Sequence, residues 1–157
     1  VHAGARSTIT IGGGGTIRTE KHKNISHFAL NAEEGIINMN AKLNQAGEMI
    51  GAGNRTTKVY GNIGIIDREE SANISGSRPT VINLGLTTSD SVLHGVVLDD
   101  FKEHNKNEPD KKDIRERTGL SMYLQNGASW HNEVWGTMVP SEPWRGVSHS
   151  FTGYCRR

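Results

Sequence analysis

The residues best suited to recognition or chemistry lie near the end of the chain, where all 3 tryptophans occur among polar side chains. Tryptophan and tyrosine have large, rigid faces with a polar group, which suit contact with sugar rings and with protein surfaces. The same side chains could instead form a core or an interface between subunits. The candidate ligand-binding residues are Trp130, His131, Trp135, Trp144, Arg145 and Tyr154.

Side-chain alternation along a strand predicts the direction in which some of these candidates face. In a strand, Trp130 and His131 face opposite sides, whereas Trp135 lies on the same side as His131. We therefore expect at least one tryptophan to face outward or to lie at a subunit interface. Trp144 is the best exposed candidate, because its loop carries two prolines and a glycine.

Patterns typical of catalysis or metal binding are weak. A nucleophile elbow requires Gly-x-Ser-x-Gly, and residues 146–150 lack the second glycine. Glycoside cleavage requires two carboxylates about 5 to 9.5 Å apart, for which Glu133 and Glu142 are the best candidates because they lie near tryptophans. The 7 histidines form no His-x-His or HExxH motif, although one histidine on a trimer axis could bind a metal ion three times over. We expect no catalytic residue, no cofactor and no metal site.

Charge and hydropathy exclude two other classes of partner. The chain has 18 lysines and arginines against 17 acidic residues, so it lacks the basic surface that binds nucleic acid. Its apolar runs are far shorter than the roughly 18 residues of a membrane span, so we expect no insertion into a membrane. The single cysteine, Cys155, cannot form an internal disulfide.

The clearest structural pattern runs from Ile37 to Asn44, where aliphatic residues alternate with polar ones, mostly asparagines. It predicts a strand with one buried face and one solvated face. The glycines that separate this strand from others fall at unequal intervals, which disfavours a regular solenoid and favours a β-meander or a β-wound fibre. The pair Asn126-Gly127 predicts a β-hairpin between strands at 120–124 and 130–139.

These patterns predict an all-β fold of short strands with Gly and Asn turns and an elongated or sandwich-like head. We expect a β-rich stalk or shaft-like region over residues 1–67 and a C-terminal β head over residues 68–157, with a charged loop at 99–117. Hydrophobic residues make up 34% of the chain, and a core this thin is often completed by neighbouring subunits. We therefore expect the aliphatic face of 37–44 to meet the same strand of neighbouring chains in an intertwined homotrimer.

The run Ala-Glu-Glu-Gly-Ile-Ile-Asn-Met-Asn-Ala at 32–41, the strands that follow it up to Asp67 and the aromatic C-terminal part resemble the distal regions of bacteriophage tail fibres and tailspikes. Those proteins are homotrimers that recognise bacterial surface receptors. The chain lacks the His-x-His iron-binding repeats of some fibre tips and has no collagen-like run, so no family site transfers to particular residues.

The resemblance implies a noncatalytic receptor-binding part of a tail fibre or spike. Its expected partners are two further copies of the chain and a bacterial surface polysaccharide or outer-membrane protein. Its expected location is the virion tail, assembled in the host cytoplasm. Two alternatives stay open: a depolymerase of capsule or O-antigen polysaccharide, and a purely structural virion or trimerisation domain.

Overall fold

A computed structural model describes residues 1–4, 7–20, 28–66, 80–100 and 119–136. Every regular element in these ranges is a strand, which confirms the all-β prediction. The strands are β1 (His2–Ala3), β2 (Thr8–Ile11), β3 (Gly15–Arg18), β4 (Phe28–Glu33), β5 (Ile36–Met39), β6 (Ala41–Leu43), β7 (Met49–Ala52), β8 (Thr57–Tyr60), β9 (Asn62–Ile66), β10 (Val81–Leu86), β11 (Val92–His94), β12 (Val97–Asp100), β13 (Gly119–Leu124) and β14 (Ser129–His131).

Three parallel sheets of four strands make up the body of the fold. Sheet A has the order β1-β4-β9-β12, sheet B β13-β10-β5-β2 and sheet C β14-β11-β8-β3. Apart from the antiparallel hairpin β6–β7, successive strands belong to sheets A, B and C in turn. The chain therefore winds through four rungs of a parallel β-helix, with one strand per sheet in each rung.

This winding shows that two expectations were wrong: the fold is not a β-meander, and it is a solenoid. The corner between sheets B and C takes residues 40–56 in the second rung, where β6–β7 is inserted, but only residues 87–91 in the third. The strands stay in register from rung to rung, whereas the corners between them differ in length. The glycines therefore fall at unequal intervals in the sequence, and these intervals do not show the repeat of the rungs. The Asn126-Gly127 hairpin was also wrong, because β13 pairs with β10 and β14 with β11, each in parallel.

Aliphatic side chains stack in columns inside the helix, one from each rung. In sheet B one column aligns Ile9, Ile37, Ile82 and Leu120, and the next aligns Ile11, Met39, Leu84 and Met122. Full burial of one such side chain contributes about 1.5–3 kcal/mol.

The buried aliphatic residues of the strand predicted at 37–44 contact their own chain, not the neighbouring chains that we expected. Ile37 and Met39 are fully buried within the single chain. The expectation that this aliphatic face meets neighbouring chains was therefore wrong for Ile37 and Met39, because the other rungs of the same chain already cover them, whereas Ala41 and Leu43 are half-buried.

Two asparagines of this segment, Asn38 and Asn40, were wrongly expected to be solvated. Asn38 is buried and lies in a polar ladder, in which Asn83 Nδ2 donates to Asn38 Oδ1 at 2.8 Å and Asn38 Nδ2 donates to Thr10 Oγ1 at 3.4 Å. Asn40 is also buried, and its φ of 50° ends β5 and turns the chain into β6. Asparagine tolerates this left-handed conformation better than most residues do.

Asn40 fastens the inserted hairpin to the next rung. Its amide donates to Arg55 O at 3.0 Å and to Gly85 O at 3.1 Å. Since Arg55 follows the hairpin and Gly85 lies in β10, one buried side chain joins the second rung to the third. Thr87 Oγ1 adds a bond of 2.6 Å to Gly53 O.

Strands from both predicted regions share the same three sheets. β9, before residue 67, pairs with β12 beyond it, and β5 likewise pairs with β10. The described part of the predicted charged loop at 99–117 is the end of β12, and its other residues lie outside the described ranges.

Candidate functional site

The last residue of every sheet C strand contributes to one line of side chains on the outer surface. Arg18, Tyr60, His94 and His131 are in register across β3, β8, β11 and β14. Adjacent strands lie about 4.8 Å apart, so the repeat of the fold sets the spacing of these side chains. We call these four residues together with Trp135 the aromatic column.

Two neighbouring pairs along the column are in cation or ring contact. Arg18 Cζ lies 4.2 Å from the centroid of the Tyr60 ring, which is a cation–π geometry. The ring centroids of His94 and His131 are 5.4 Å apart. Arg18 and His131, at the two ends, are exposed, whereas Tyr60 and His94 are half-buried.

Trp135 covers the middle of the column. Its ring centroid lies 5.0 Å from that of His94, edge to face, and 5.7 Å from that of Tyr60. The indole N–H donates to Thr19 O at 3.0 Å, and the residue is only 7% exposed. Trp135 follows the fourth rung yet contacts residues of the first three, so this segment folds back along the side of the helix.

The side chain of Asn62 holds the folded-back segment by bonding to backbone groups of Trp135. Its Oδ1 accepts from Trp135 N at 2.9 Å and from Val96 N at 3.2 Å, and its Nδ2 donates to Trp135 O at 3.2 Å. Asn62 is fully buried. One side chain thus satisfies both polar backbone groups of Trp135, much as a neighbouring strand would.

Tight corners after sheet C bring these residues together. Gly61 N donates to His94 O at 3.0 Å, and Gly95 N donates to His131 O at 3.1 Å. A Cβ on Gly95 would overlap the carbonyl oxygen of Gly61. Only glycine fits this approach, which keeps successive turns of the helix stacked at the column.

The candidate residues named from the sequence separate into three groups. Trp130 packs against the core, and its indole N–H donates to Gly95 O at 3.0 Å, whereas His131 points outward, as strand alternation predicts. Trp135 lies beside His94 but is buried. The remaining candidates, which are Trp144, Arg145 and Tyr154, lie outside the described residues.

Sequence reasoning missed Arg18, Tyr60 and His94 as members of the column. A signal was present, because Tyr60-Gly61 and His94-Gly95 repeat an aromatic-glycine pair at the end of a strand. The pairs are 34 residues apart, and only the rung repeat shows that they stack.

The charged groups at the column are few. Glu133 Oε2 lies 3.6 Å from His94 Nε2, and the Glu133 side chain is 77% exposed. Such an exposed pair adds little stability. Among the described residues no group of three or more His, Cys, Asp or Glu side chains is placed to hold a metal ion.

A polar groove lies at the opposite, N-terminal ends of the sheet C strands. Its volume is about 350 Å³. Lys42 and Asn54 are exposed, Gln125 is half-buried, and the side chains of these three residues make no hydrogen bond or ion pair within the described ranges. The lining residues are Lys42, Ala52, Gly53, Asn54, Thr87, Gln125 and Asn126.

Comparisons with known proteins give no relative. No model of a protein family, no curated protein and no solved structure matches the chain. None of the described residues belongs to a helix long and apolar enough to span a membrane.

Proposed function

We propose that the chain is a noncatalytic receptor-binding part of a bacteriophage tail fibre or tailspike, which attaches to a bacterial surface through the outer face of sheet C. The observation that carries this proposal is the aromatic column. It aligns aromatic and cationic side chains at a fixed spacing, and its ends, Arg18 and His131, are accessible.

The β-helix supports this role by holding the binding side chains rigidly. Backbone ladders fix the strands on both sides of Tyr60 and His94, and Trp135 limits the motion of their rings. A surface ordered before binding loses little side-chain entropy when a ligand arrives. A flat face with a regular spacing suits an extended or repetitive receptor, such as a surface polysaccharide or an outer-membrane protein.

The small number of described carboxylates near the site supports binding without cleavage. Within the described ranges, the acidic side chain beside the aromatic column is that of Glu133, and no acidic residue of those ranges lines the polar groove. Cleavage of a glycosidic bond uses two carboxylates about 5 to 9.5 Å apart. Glu142, the second acid named from the sequence, lies outside the described residues.

The proposal includes assembly as a homotrimer in the virion tail, after synthesis in the host cytoplasm. Its support is the resemblance to tail fibres. Light scattering of the purified chain should give a mass about three times that of one chain. A stable monomer at every concentration would remove this part of the proposal.

The experiment for attachment measures binding of the fluorescently labelled chain to a panel of bacterial strains by flow cytometry. We expect saturable binding to some strains, with competition by unlabelled chain. Incubation of the same cells' purified polysaccharide with the chain should release no reducing ends. Sustained release would replace the binding function with a depolymerase, and absence of binding to every strain would favour a purely structural role.

A further inference from the structure

We infer that the polar groove binds an acidic sugar unit of the receptor, with the sugar carboxylate at Lys42 and the sugar hydroxyls at Asn54 and Gln125. This inference rests on the proposed function, because it assumes that the receptor is a surface polysaccharide. It adds the chemical class of the ligand and a second binding site.

The walls of the groove are built and held in place. Thr87 Oγ1 bonds to Gly53 O at 2.6 Å, which ties the hairpin wall to the corner of the third rung. Asn126 Nδ2 donates to Thr87 O at 3.0 Å, which ties the corner of the fourth rung to the same point. Asn126 has a φ of 55°, a conformation that asparagine adopts more readily than most residues.

The functional groups in the groove remain available after these bonds are made. Lys42, Asn54 and Gln125 have no side-chain partner within the described ranges. Together they offer an ammonium group with three donors and two amides, each able to donate and to accept. A hydroxyl group also donates and accepts, so amides match a sugar better than a purely apolar wall does.

Charge selects an acidic sugar over a neutral one. Lys42 is a cation, and no carboxylate of the described residues lines the groove to neutralise it. A hydrogen bond between an ammonium and a carboxylate is stronger than one between neutral groups. Of the lining residues that the structure describes, only Ala52 has an apolar side chain, which disfavours an apolar ligand.

Size and position agree with a saccharide that continues along sheet C. The volume of about 350 Å³ is at the lower end of the range for small-molecule sites, which is about 300–1,000 Å³. A strand of four residues such as β8 spans about 13 Å. A linear glycan seated in the groove could therefore reach the aromatic column at the other end of the same strands.

The test measures binding of three acidic glycans to the full chain by saturation-transfer difference NMR. The probes are tetragalacturonate, a hyaluronan tetrasaccharide and a dimer of sialic acid. We expect at least one to bind, about tenfold more weakly when its carboxylates are methyl-esterified. Lys42→Gln should weaken the unesterified glycan by a similar factor, whereas Arg55→Gln, at a nearby exposed cation that does not line the groove, should leave its affinity unchanged.

The inference would be overturned by no binding of any of the three glycans, by equal binding of an acid and its ester, or by equal binding by wild type and Lys42→Gln. Displacement of the bound glycan by millimolar inorganic phosphate, with no requirement for the sugar hydroxyls, would show a simple anion site instead. Cell binding without binding of acidic glycans would contradict this inference alone. Glycan binding without binding to any cell would contradict the proposed function instead.

Discussion

Replacing Asn62 with alanine should release the folded-back segment that carries Trp135. Asn62 is fully buried, and its amide makes three hydrogen bonds with backbone groups of Trp135 and Val96. Alanine removes all three bonds at once while leaving the strand β9 in place. The variant therefore tests whether this side chain fastens the C-terminal segment to the β-helix.

The expected cost follows from the number of bonds. A typical hydrogen bond contributes about 0.5–1.5 kcal/mol net, so the loss of three bonds costs roughly 1.5–4.5 kcal/mol. The upper part of that range applies if Trp135 leaves its contacts with Tyr60 and His94, because their packing is then lost as well. For a chain of this length each kcal/mol lowers the Tm by about 2–4 °C.

Urea unfolding followed by circular dichroism measures the free energy, and tryptophan fluorescence reports the local effect. We expect Asn62→Ala to shift the indole emission to longer wavelength at temperatures where the β signal is still native. Asn44→Ala is the matched control, since the Asn44 side chain makes two surface hydrogen bonds, one with the Glu48 side chain and one with the Glu48 backbone N–H; its cost should stay below that of Asn62→Ala, and the indole emission should not change. An Asn62→Ala variant with unchanged stability and unchanged emission would refute the reasoning.

Three further substitutions test other parts of the fold. Gly95→Ala should cost about 1–3 kcal/mol in urea unfolding, because its Cβ would overlap Gly61 O, whereas Gly12→Ala, which has open space, should be neutral; equal effects would contradict the tight corner. Asn40→Gly keeps the left-handed conformation but loses the amide, and we expect a loss of about 2–4 kcal/mol by the same assay, whereas full stability would mean that this amide does not secure the hairpin. Leu84→Ala should cost about 2–5 kcal/mol in thermal unfolding, and a cost under 1 kcal/mol would be inconsistent with its full burial.

The positions of most strands could be predicted from the sequence, because side-chain alternation is a local signal. Short apolar or alternating runs at 57–60, 63–66, 80–86 and 120–124 each predict a strand, and these runs lie within about one residue of β8, β9, β10 and β13, respectively. The pairing of these strands could not be predicted. Parallel partners are separated by whole rungs, and corner insertions of different lengths remove the fixed period that would identify a solenoid.

Asn40 shows why the strand at 37–44 was predicted too long. In the sequence it continues the alternation of Asn38, and nothing local distinguishes an asparagine in a strand from one in a left-handed corner. The distinction comes from acceptors on Arg55 and Gly85, which only the winding brings near. The tertiary contacts therefore decide the end of β5.

Part of the candidate site could be predicted, because side-chain alternation is a local signal. Alternation correctly placed Trp130 and His131 on opposite sides of β14. The partners of Trp135 were beyond local reasoning, because Asn62 lies 73 residues away in sequence and Thr19 lies 116 residues away. Trp135 is buried and Trp130 is half-buried against the core, so the accessible groups of the site are the ends of the aromatic column and the polar groove.

The most direct test of receptor attachment through sheet C is the affinity of the chain for a strain to which it binds. The double variant Arg18→Ala/His131→Ala removes the accessible ends of the aromatic column, and Gln45→Ala/Arg55→Ala removes two exposed side chains elsewhere with the same loss of one cation. We predict that the first variant binds cells at least tenfold more weakly while it stays folded, with a Tm only a few degrees lower because the contacts of Arg18 and His131 are lost, and that the control binds as wild type does. Equal affinity of both variants and the wild type would contradict attachment through this face.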